Sequence, residues 1–353
     1  MRLYFLGKPY PVPLAFVPPA TASGPRPAMA GATQKKIIVV FGATGAQGGS
    51  VAQALLDDDS FSVRAVTRNP AHPAAKALLS RGAEVVKGDL NNLDSLEQAM
   101  EGAYGAFVVT TFSVDFNKEQ ESLQSNNLAT PMPSFGNSES HTLNLVILQG
   151  KNTAEVAKCQ NLKHVVFSGL DHVEKLTGGQ LKVPFFDSKG EAEARYRELG
   201  VPFTSVRLPC YYENFLNFYP PQRRPGEDAY TVALPMGDTP VHAMAVSDLG
   251  IMVLNIFKAP EVYIGKAIHL SVETLTVQGF ADVLSQCLGK KIRDAKISTE
   301  TFEQQTSKPV ADMFRYLQIK TNFDEALTHQ LNPRAKTFQQ WVEEQKEKFQ
   351  KLI

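Results

Sequence analysis

The sequence predicts an α/β fold, in which a doubly wound parallel sheet is followed by a smaller, mixed and mainly helical C-terminal lobe. Three observations predict it: a β-branched run before a glycine-rich turn, alternating strand and helix patterns after it, and a change of pattern beyond Pro209. Right-handed crossovers between parallel strands place helices on both faces of such a sheet. We therefore expect a Rossmann-type domain at residues 36–208 and a smaller lobe at 209–353, which could share part of the sheet and the cleft.

Composition and charge exclude several classes of function. The chain has 353 residues, and 36 lysines and arginines balance 36 aspartates and glutamates. A neutral chain has no overall electrostatic attraction to nucleic acid or to anionic membranes, so we expect neither as a direct partner. The three cysteines are widely spaced, which excludes a disulfide framework and the usual metal motifs. We expect a reducing compartment and no metal site.

The first 35 residues differ from the rest. The stretch 1–36 contains seven prolines, five basic residues and no acidic residue, a composition that does not build a packed core. It is either a targeting segment or a disordered leader that precedes a start at Met29. The second interpretation is favoured, and we expect residues 1–35 to be disordered.

Regular structure begins at Ile37. The run 37–41 is continuously apolar and mostly β-branched, which is typical of a strand buried on both faces of a parallel sheet. Strand and helix patterns then alternate, as parallel strands with helical crossovers require. The predicted helices are 47–56, 73–80, 93–100, 152–159 and 188–199, and the further predicted strands are 62–67, 84–87, 105–110, 164–168 and 204–207.

One segment interrupts this alternation. Residues 123–148 are rich in serine, asparagine and proline, and a compact domain rarely contains a structureless loop of this length. Without it, residues 118–121 and 150–159 would form one helix. We interpret the segment as an insertion, either a mobile lid or an artefact of splicing or gene prediction, and the artefact is favoured.

Beyond Pro209 the pattern is that of the smaller lobe. Aromatic residues cluster at 211–219, and helices are predicted at 241–257 and 274–288 on either side of a strand at 267–271. Amphipathic helices follow to the C-terminus. We expect this lobe to pack beside the carboxyl ends of the strands.

The turn after the first strand has the pattern of a phosphate-binding loop, Gly42-Ala43-Thr44-Gly45-Ala46-Gln47-Gly48. Glycines let the backbone approach a pyrophosphate, and a helix N-terminus supplies free N–H groups and a positive dipole end. A plain structural turn is the alternative. The strand before and the helix after favour dinucleotide binding, and the G-x-x-G-x-x-G spacing resembles that of extended or atypical short-chain dehydrogenases.

The end of the second strand favours NADP(H). An NAD site usually has an acidic residue there, whereas this chain has Arg68, whose planar guanidinium suits a 2′-phosphate. A solvated arginine is the alternative interpretation. Asp89, after the third strand, is placed either to contact the adenine edge or to cap the next helix.

The proton donor of a short-chain reductase is missing. Such enzymes pair a tyrosine with a lysine four residues later, and the lysine lowers the pKa of the tyrosine. Here Ser168 and Lys189 are correctly placed, but the tyrosine position holds Phe185. Tyrosine–lysine pairs with this spacing occur elsewhere, and we interpret both as chance matches. Those pairs are Tyr4–Lys8 and Tyr316–Lys320. For His164 and His172 we expect surface roles.

Five separated motifs resemble the NmrA-like family, and vertebrate members in particular, over about residues 35–353. They are 40–51, 66–70, 166–170, 186–191 and 205–214. The resemblance implies a Rossmann-type protein that binds NADP(H) without dehydrogenase activity and serves as a redox sensor. Cofactor occupancy would then alter its conformation, its self-association as a homodimer and its binding to a metabolic enzyme or a transcription regulator. The implied location is the cytoplasm, and the nucleus remains open.

The resemblance also implies the cofactor contacts. Lys189 would bind ribose or phosphate instead of assisting a tyrosine. The implied contacts are Gly42, Ala43, Thr44, Gly45, Ala46, Gln47, Arg68, Asn69, His72, Asp89, Leu90, Thr110, Thr111, Phe112, Lys189, Tyr211, Tyr212, Glu213 and Asn214.

Three positions depart from the family pattern. Ala71 and His72 replace a basic pair, and Leu148 occupies the place of a cofactor-contacting lysine. These departures predict weaker NADP(H) binding. Three functions stay open: a regulatory NADPH-binding protein, an atypical reductase with Lys189 as its only acid/base group, and a scaffold that has lost its cofactor. The first is favoured, with 110–115 and the aromatic stretch after Cys210 as its moving parts.

Overall fold

A seven-stranded parallel sheet organises the chain. In this computed structural model the structure describes residues 35–110, 138–223, 226–320 and 322–353. The strands of the main sheet are β1 (Ile37–Val40), β2 (Ser62–Thr67), β3 (Glu84–Lys87), β4 (Gly105–Val108), β5 (His164–Gly169), β6 (Phe203–Arg207) and β10 (Ala267–His269). Their order is β10-β6-β5-β4-β1-β2-β3, so the chain winds outward in both directions from the centre. The predicted doubly wound α/β fold is confirmed.

Helices cover both faces of this sheet, because its central strands are apolar on both sides. Ile38 and Val40 of β1 belong to one hydrophobic cluster and Val39 and Phe41 to another on the opposite face. The first cluster takes in α1 (Ala46–Asp58), α2 (Pro73–Ser80) and α8 (Leu249–Lys258), and the second takes in α3 (Leu93–Met100), α4 (Ser138–Cys159) and α6 (Pro184–Glu198). Thus α8 and β10, which come from the C-terminal half of the chain, complete the Rossmann-type domain.

The rest of the C-terminal half forms a mixed lobe around an aromatic core. Phe215, Phe280, Phe338 and Trp341 are all buried within it. Its strands form the sheets β11-β9-β7 and β12-β8, with the bounds β7 (Cys210–Tyr211), β8 (Tyr230–Val232), β9 (Val241–Met244), β11 (Glu273–Leu275) and β12 (Ile292–Asp294). The further described helices are α5 (Val173–Leu176), α7 (Asn214–Asn217), α9 (Pro260–Tyr263), α10 (Val277–Leu288), α11 (Thr299–Gln305), α12 (Lys308–Ile319), α13 (Glu325–Leu331), α14 (Phe338–Glu344) and α15 (Lys346–Gln350). Of these, α9 and α13 place Tyr263 and Leu331 in the first cluster of the main sheet. None of the described helices combines the length and apolarity that crossing a bilayer requires.

Two predicted helices begin too early. Residues 241–244 and 273–275 are short strands that pair antiparallel, with Ala243 opposite Glu273, and the helices start only at Leu249 and Val277. The surface role expected for His164 is also wrong. Its ring is fully buried, Nε2 lies 2.8 Å from Thr204 Oγ1, and burial lowers its pKa to about 4.

The predicted helix at 152–159 is the end of a longer one. Because α4 begins at Ser138, residues 138–148 of the segment interpreted as an insertion are helical. Val146 of this extension is buried in the core of the C-terminal lobe. The remainder of that segment, together with 1–34, 118–121, Thr111 and Phe112, lies outside the described residues.

Candidate functional site

The loop after β1 is shaped by close backbone packing. Gly42 has a left-handed backbone with φ of 64°, and its carbonyl accepts a hydrogen bond of 2.8 Å from the N–H of Gly45. A Cβ on Gly48 would lie 2.3 Å from that same carbonyl oxygen, so only glycine fits there without movement. Helix α1 therefore starts directly above the strand end, as the sequence predicts for a phosphate cradle.

The start of α1 has unused hydrogen-bonding capacity. Gly45 is its N-cap, no side chain caps it, and no acidic residue lies in its first turn. Gln47 is buried, and its Nε2 donates to Tyr211 Oη at 2.8 Å, whereas its Oε1 has no partner in the described part of the chain. Thr110, beyond the end of β4, has a buried hydroxyl that finds no partner among the residues the structure describes. Because an unsatisfied buried polar atom costs about 1–3 kcal/mol, these atoms fit a site completed by a bound ligand.

The residues after β2 leave one cation available. Arg68 is exposed and has no hydrogen bond or ion pair within the described ranges. Asn69 Oδ1 accepts from the N–H of Ala71 at 3.1 Å, and His72 Nδ1 accepts from the N–H of Ala74 at 3.2 Å as the N-cap of α2. His72 is thus occupied in capping its helix, whereas Arg68 stays exposed beside it.

The loop after β3 is stabilised by its own side chains. Asp89 Oδ1 accepts from both the backbone N–H and the side-chain amide of Asn91 at 2.9 Å. The cap of α3 is Asn92, so the alternative role of Asp89 as a helix cap is wrong. Leu90 contributes its carbonyl, which accepts from Asn152 Nδ2 at 3.1 Å.

Helix α6 carries the lysine and the replaced tyrosine. Lys189 is buried, and its ammonium donates to the carbonyl of Ser168 at 3.0 Å and, at 3.5 Å, to that of Thr110. Burial lowers the pKa of Lys189 to about 7. One turn earlier, Phe185 is buried in the C-terminal core with its ring edge-on to Phe186. The position that would hold a proton-donating hydroxyl is therefore apolar.

The two tyrosines after β6 face different parts of the protein, the phosphate-binding loop and the C-terminal core. Tyr211 faces the loop through Gln47, but the Tyr212 ring packs on Phe338 and Trp341 inside the C-terminal lobe. The Tyr212 N–H donates to the Met244 carbonyl and the Tyr212 carbonyl accepts from the Phe215 N–H, both at 3.0 Å, so its backbone is engaged within the protein as well.

The two residues that follow Tyr212 are also engaged within the protein. Both carboxylate oxygens of Glu213 accept from the N–H of Val246 at 3.2 Å, and burial raises the pKa of Glu213 to about 7. Asn214 donates to the sulfur of Cys210 at 3.5 Å.

A polar cluster that the sequence interpretation missed lies just past β5. Asp171 contacts the Arg207 guanidinium and His269 Nε2 through Oδ1, and it accepts from the Tyr316 hydroxyl and the Lys320 ammonium through Oδ2. Burial opposes ionisation of Asp171, but these contacts hold its pKa well below the usual range.

Tyr316 and Lys320, the tyrosine–lysine pair interpreted above as a chance match, therefore both belong to this cluster around Asp171. The spacing of Tyr316 and Lys320 was the one feature of the sequence that pointed to this cluster. It could not show that α12 docks at Asp171.

Comparisons with known proteins identify the family of this chain. A family model described as "NmrA-like family" matches residues 34–346. An NmrA-like family domain-containing protein of Dictyostelium discoideum is 32% identical over 272 residues, covering 73% of this chain and 79% of its own. The NmrA-like family domain-containing oxidoreductase FrzB of Cladobotryum is 35% identical over 275 residues, covering 73% and 75%. These relatives come from a slime mould and a fungus, whereas the motifs had indicated vertebrate members.

Solved structures share the fold. The negative transcriptional regulator NmrA in complex with NADP superposes with a TM-score of 0.67 at 20% identity, covering 88% of this chain and 95% of that one. The NADPH-dependent quinone oxidoreductase QOR2 of Escherichia coli gives 0.67 at 19% identity, covering 87% and 99%. With nearly the whole chain matched in sequence and fold, this protein belongs to the NmrA-like family.

Proposed function

We propose that this protein binds NADP(H) and signals its occupancy to partner proteins, without the tyrosine-dependent chemistry of short-chain dehydrogenases. The observation that carries the proposal is the pairing of a built phosphate cradle with the apolar Phe185 where a proton donor would stand. A site that can bind a dinucleotide but lacks the proton relay is suited to sensing whether the cofactor is bound.

The described residues fit the cofactor in three places. The Gly42–Gly45 turn and the uncapped start of α1 would hold the pyrophosphate, and Arg68 would pair with the 2′-phosphate. Lys189 would face the ribose beside the nicotinamide. The bound cofactor would supply a hydride or its acceptor. NmrA, which binds NAD and NADP in its solved complexes, supports this assignment by analogy of fold.

Direct hydrogen bonds connect the cradle to the C-terminal half. Gln47 donates to Tyr211, and Ser50 Oγ donates to the carbonyl of Ser247 at 2.7 Å and accepts from the N–H of Gly250 at 2.9 Å. A ligand that orders the start of α1 therefore acts on elements of both halves. Such a ligand shifts a conformational equilibrium to the extent that it binds the two states differently. We propose that this shift controls homodimer formation and the binding of a regulatory target.

Size-exclusion scattering of the full chain with and without NADPH tests this function. We expect a change in the scattering profile or in the oligomer on NADPH addition, with no net NADPH oxidation. Phe185→Leu, which keeps the position apolar, is the matched control and should behave as the wild type. Identical profiles in the two conditions would count against the sensor.

A second candidate function is an atypical NADPH-dependent reductase. The observation that favours it is Lys189 itself, because a lysine with a pKa near 7 can take up or release a proton at neutral pH. Relatives named as oxidoreductases agree with it. Steady NADPH oxidation with a panel of quinones and enones, abolished by Lys189→Ala, would favour this function over the sensor.

A further inference from the structure

The end of β5 and the loop that follows it hold helix α6 at two successive residues. Within β5, the carbonyl of Ser168 accepts a hydrogen bond of 3.0 Å from the Lys189 ammonium. At the end of the loop, His172 lies directly against Gly190. Because Lys189 and Gly190 are neighbours in the chain, a shift at the second contact moves the lysine at the first.

The contact at Gly190 leaves no room for a side chain. A Cβ built on Gly190 would lie 2.6 Å from the Cβ of His172 and 2.9 and 3.0 Å from its Cα and backbone nitrogen. The backbone of the loop fixes all three of these atoms, so none of them can rotate away. A larger residue at this position would therefore push α6 away from the loop.

The ring of His172 also fixes α6 along its length. Nδ1 lies 3.3 Å from Asp187 Oδ1 and Nε2 lies 3.6 Å from Glu191 Oε2, so the ring spans one turn of α6. The same two carboxylates bind α5, because Asp187 accepts from the N–H of Glu174 at 3.0 Å and Glu191 lies 2.9 Å from Lys175 Nζ. The His172 side chain is 18% exposed and lies between the two helices.

We propose that His172 is a positioning residue for Lys189, which acts by fixing where α6 lies against the end of β5. The proposal rests on the proposed function, in which Lys189 faces the ribose of the cofactor. It deepens that function by naming what keeps the lysine in place.

The position of Lys189 determines its charge. Its ammonium reaches the carbonyls of Ser168 and Thr110 and lies 5.9 Å from the centre of the Phe167 ring. Burial in these surroundings lowers the pKa of Lys189 to about 7. If α6 moved outward, water would reach the ammonium and its pKa would return towards 10.5. The pKa of Lys189 therefore reports whether α6 is in place.

His172 also has a local role, from which the proposed role must be separated. It is the N-cap of α5, because its Nδ1 accepts from the N–H of Lys175 at 3.4 Å. Asparagine is a good N-cap as well, but its shorter side chain does not span the distance from Asp187 to Glu191. His172→Asn therefore keeps the cap and loses the contact along α6.

Urea unfolding of the full chain at pH 7 and pH 9 tests the proposal without cofactor. The unfolding free energy of each protein is compared with that of the same protein carrying Lys189→Met, so that only the contribution of Lys189 is followed. In the wild type this difference should rise with pH, because the unfolded chain holds a proton that the folded chain has released. In Gly190→Ala and in His172→Asn at least half of the rise should be lost.

A role in capping alone would lower stability equally at both pH values and leave the rise intact. Gly279→Ala is the matched control and should keep the full rise, because a Cβ at this helical glycine would meet its nearest neighbour at 3.4 Å, an ordinary contact. An unchanged rise in His172→Asn would overturn the proposal, even if Gly190→Ala failed to fold.

Calorimetric titration with NADPH tests the consequence for the site. His172→Asn should weaken NADPH binding about fivefold or more in the chain that keeps Lys189, and less than about twofold in Lys189→Met, since both residues act through one ammonium. Equal losses in the two backgrounds would show that His172 acts without Lys189 and would overturn the proposal. If the wild type does not bind NADPH, the proposed function fails, and the urea comparison still tests the role of His172.

Discussion

Arg68 is the residue on which the preference for NADP(H) depends. Arg68→Gln removes the charge that would meet the 2′-phosphate. Charge-assisted hydrogen bonds contribute about 1.5–3 kcal/mol, so we expect NADPH affinity to fall about tenfold or more and NADH affinity to stay the same. Arg81→Gln, another exposed arginine of the same domain, is the control. An equal loss of NADPH and NADH affinity in calorimetric titrations would show that Arg68 does not bind the 2′-phosphate.

Lys189 makes stability depend on pH. Burial lowers its pKa from 10.5 to about 7, so between these values the unfolded chain holds a proton that the folded chain has released. Stability contributed at this site therefore rises with pH across that window, by at most about 1.4 kcal/mol per pH unit.

Lys189→Met should remove this dependence. The unfolding free energy of the wild type relative to the variant is expected to increase from pH 7 to pH 9 in urea denaturation. The exposed Lys163→Met is the control for losing a lysine. A difference that does not change with pH would contradict the buried, easily deprotonated lysine.

At the scale of elements, the junction of β1 and α1 depends on a glycine that lacks room for a side chain. A Cβ at Gly48 would lie 2.3 Å from Gly42 O, whereas one at Gly49 would lie 3.4 Å from Ala43 O, an ordinary contact. Gly48→Ala should therefore destabilise the fold by about 1–3 kcal/mol and weaken NADPH binding. Gly49→Ala should keep binding and gain stability from helix propensity. Thermal unfolding and titration of both variants check this, and equal behaviour would refute the packing argument.

The elements of the first half could be predicted from the sequence because each has a local signature. The strand at 62–67 and the helices at 73–80 and 93–100 have the predicted bounds, since β-branched runs and amphipathic spacing delimit them. The short strands at 241–244 and 273–275 could not be recognised, because three or four residues carry no period of their own and only their pairing within the small sheet defines them.

The candidate site, like the fold, could be predicted from the sequence only where a local pattern defines it. The cradle follows from the chain order of strand, glycines and helix. The Asp171 cluster depends on where α12 docks, which is a tertiary fact that no local spacing contains.

At the scale of the whole molecule, cofactor state should reach the C-terminal half through the contact between Gln47 and Tyr211. Tyr211→Phe removes the hydroxyl that accepts from Gln47 and leaves the ring in its hydrophobic cluster. We expect this variant to bind NADPH but to show less NADPH-induced protection from hydrogen exchange at β9 and α8. Tyr263→Phe alters a buried tyrosine of the same cluster and should respond as the wild type does. An unchanged response in Tyr211→Phe would show that the coupling runs elsewhere.

The central claim is that the site at the start of α1 binds NADPH selectively and does not oxidise it. Calorimetric titration of the full chain with NADPH and with NADH, followed by assay of the recovered cofactor, tests this claim most directly. We expect NADPH to saturate one site per chain, to bind at least tenfold more tightly than NADH and to be recovered unoxidised. No heat with NADPH at millimolar concentration, or equal affinity for the two dinucleotides, would contradict an NADP(H)-reading site at the start of α1.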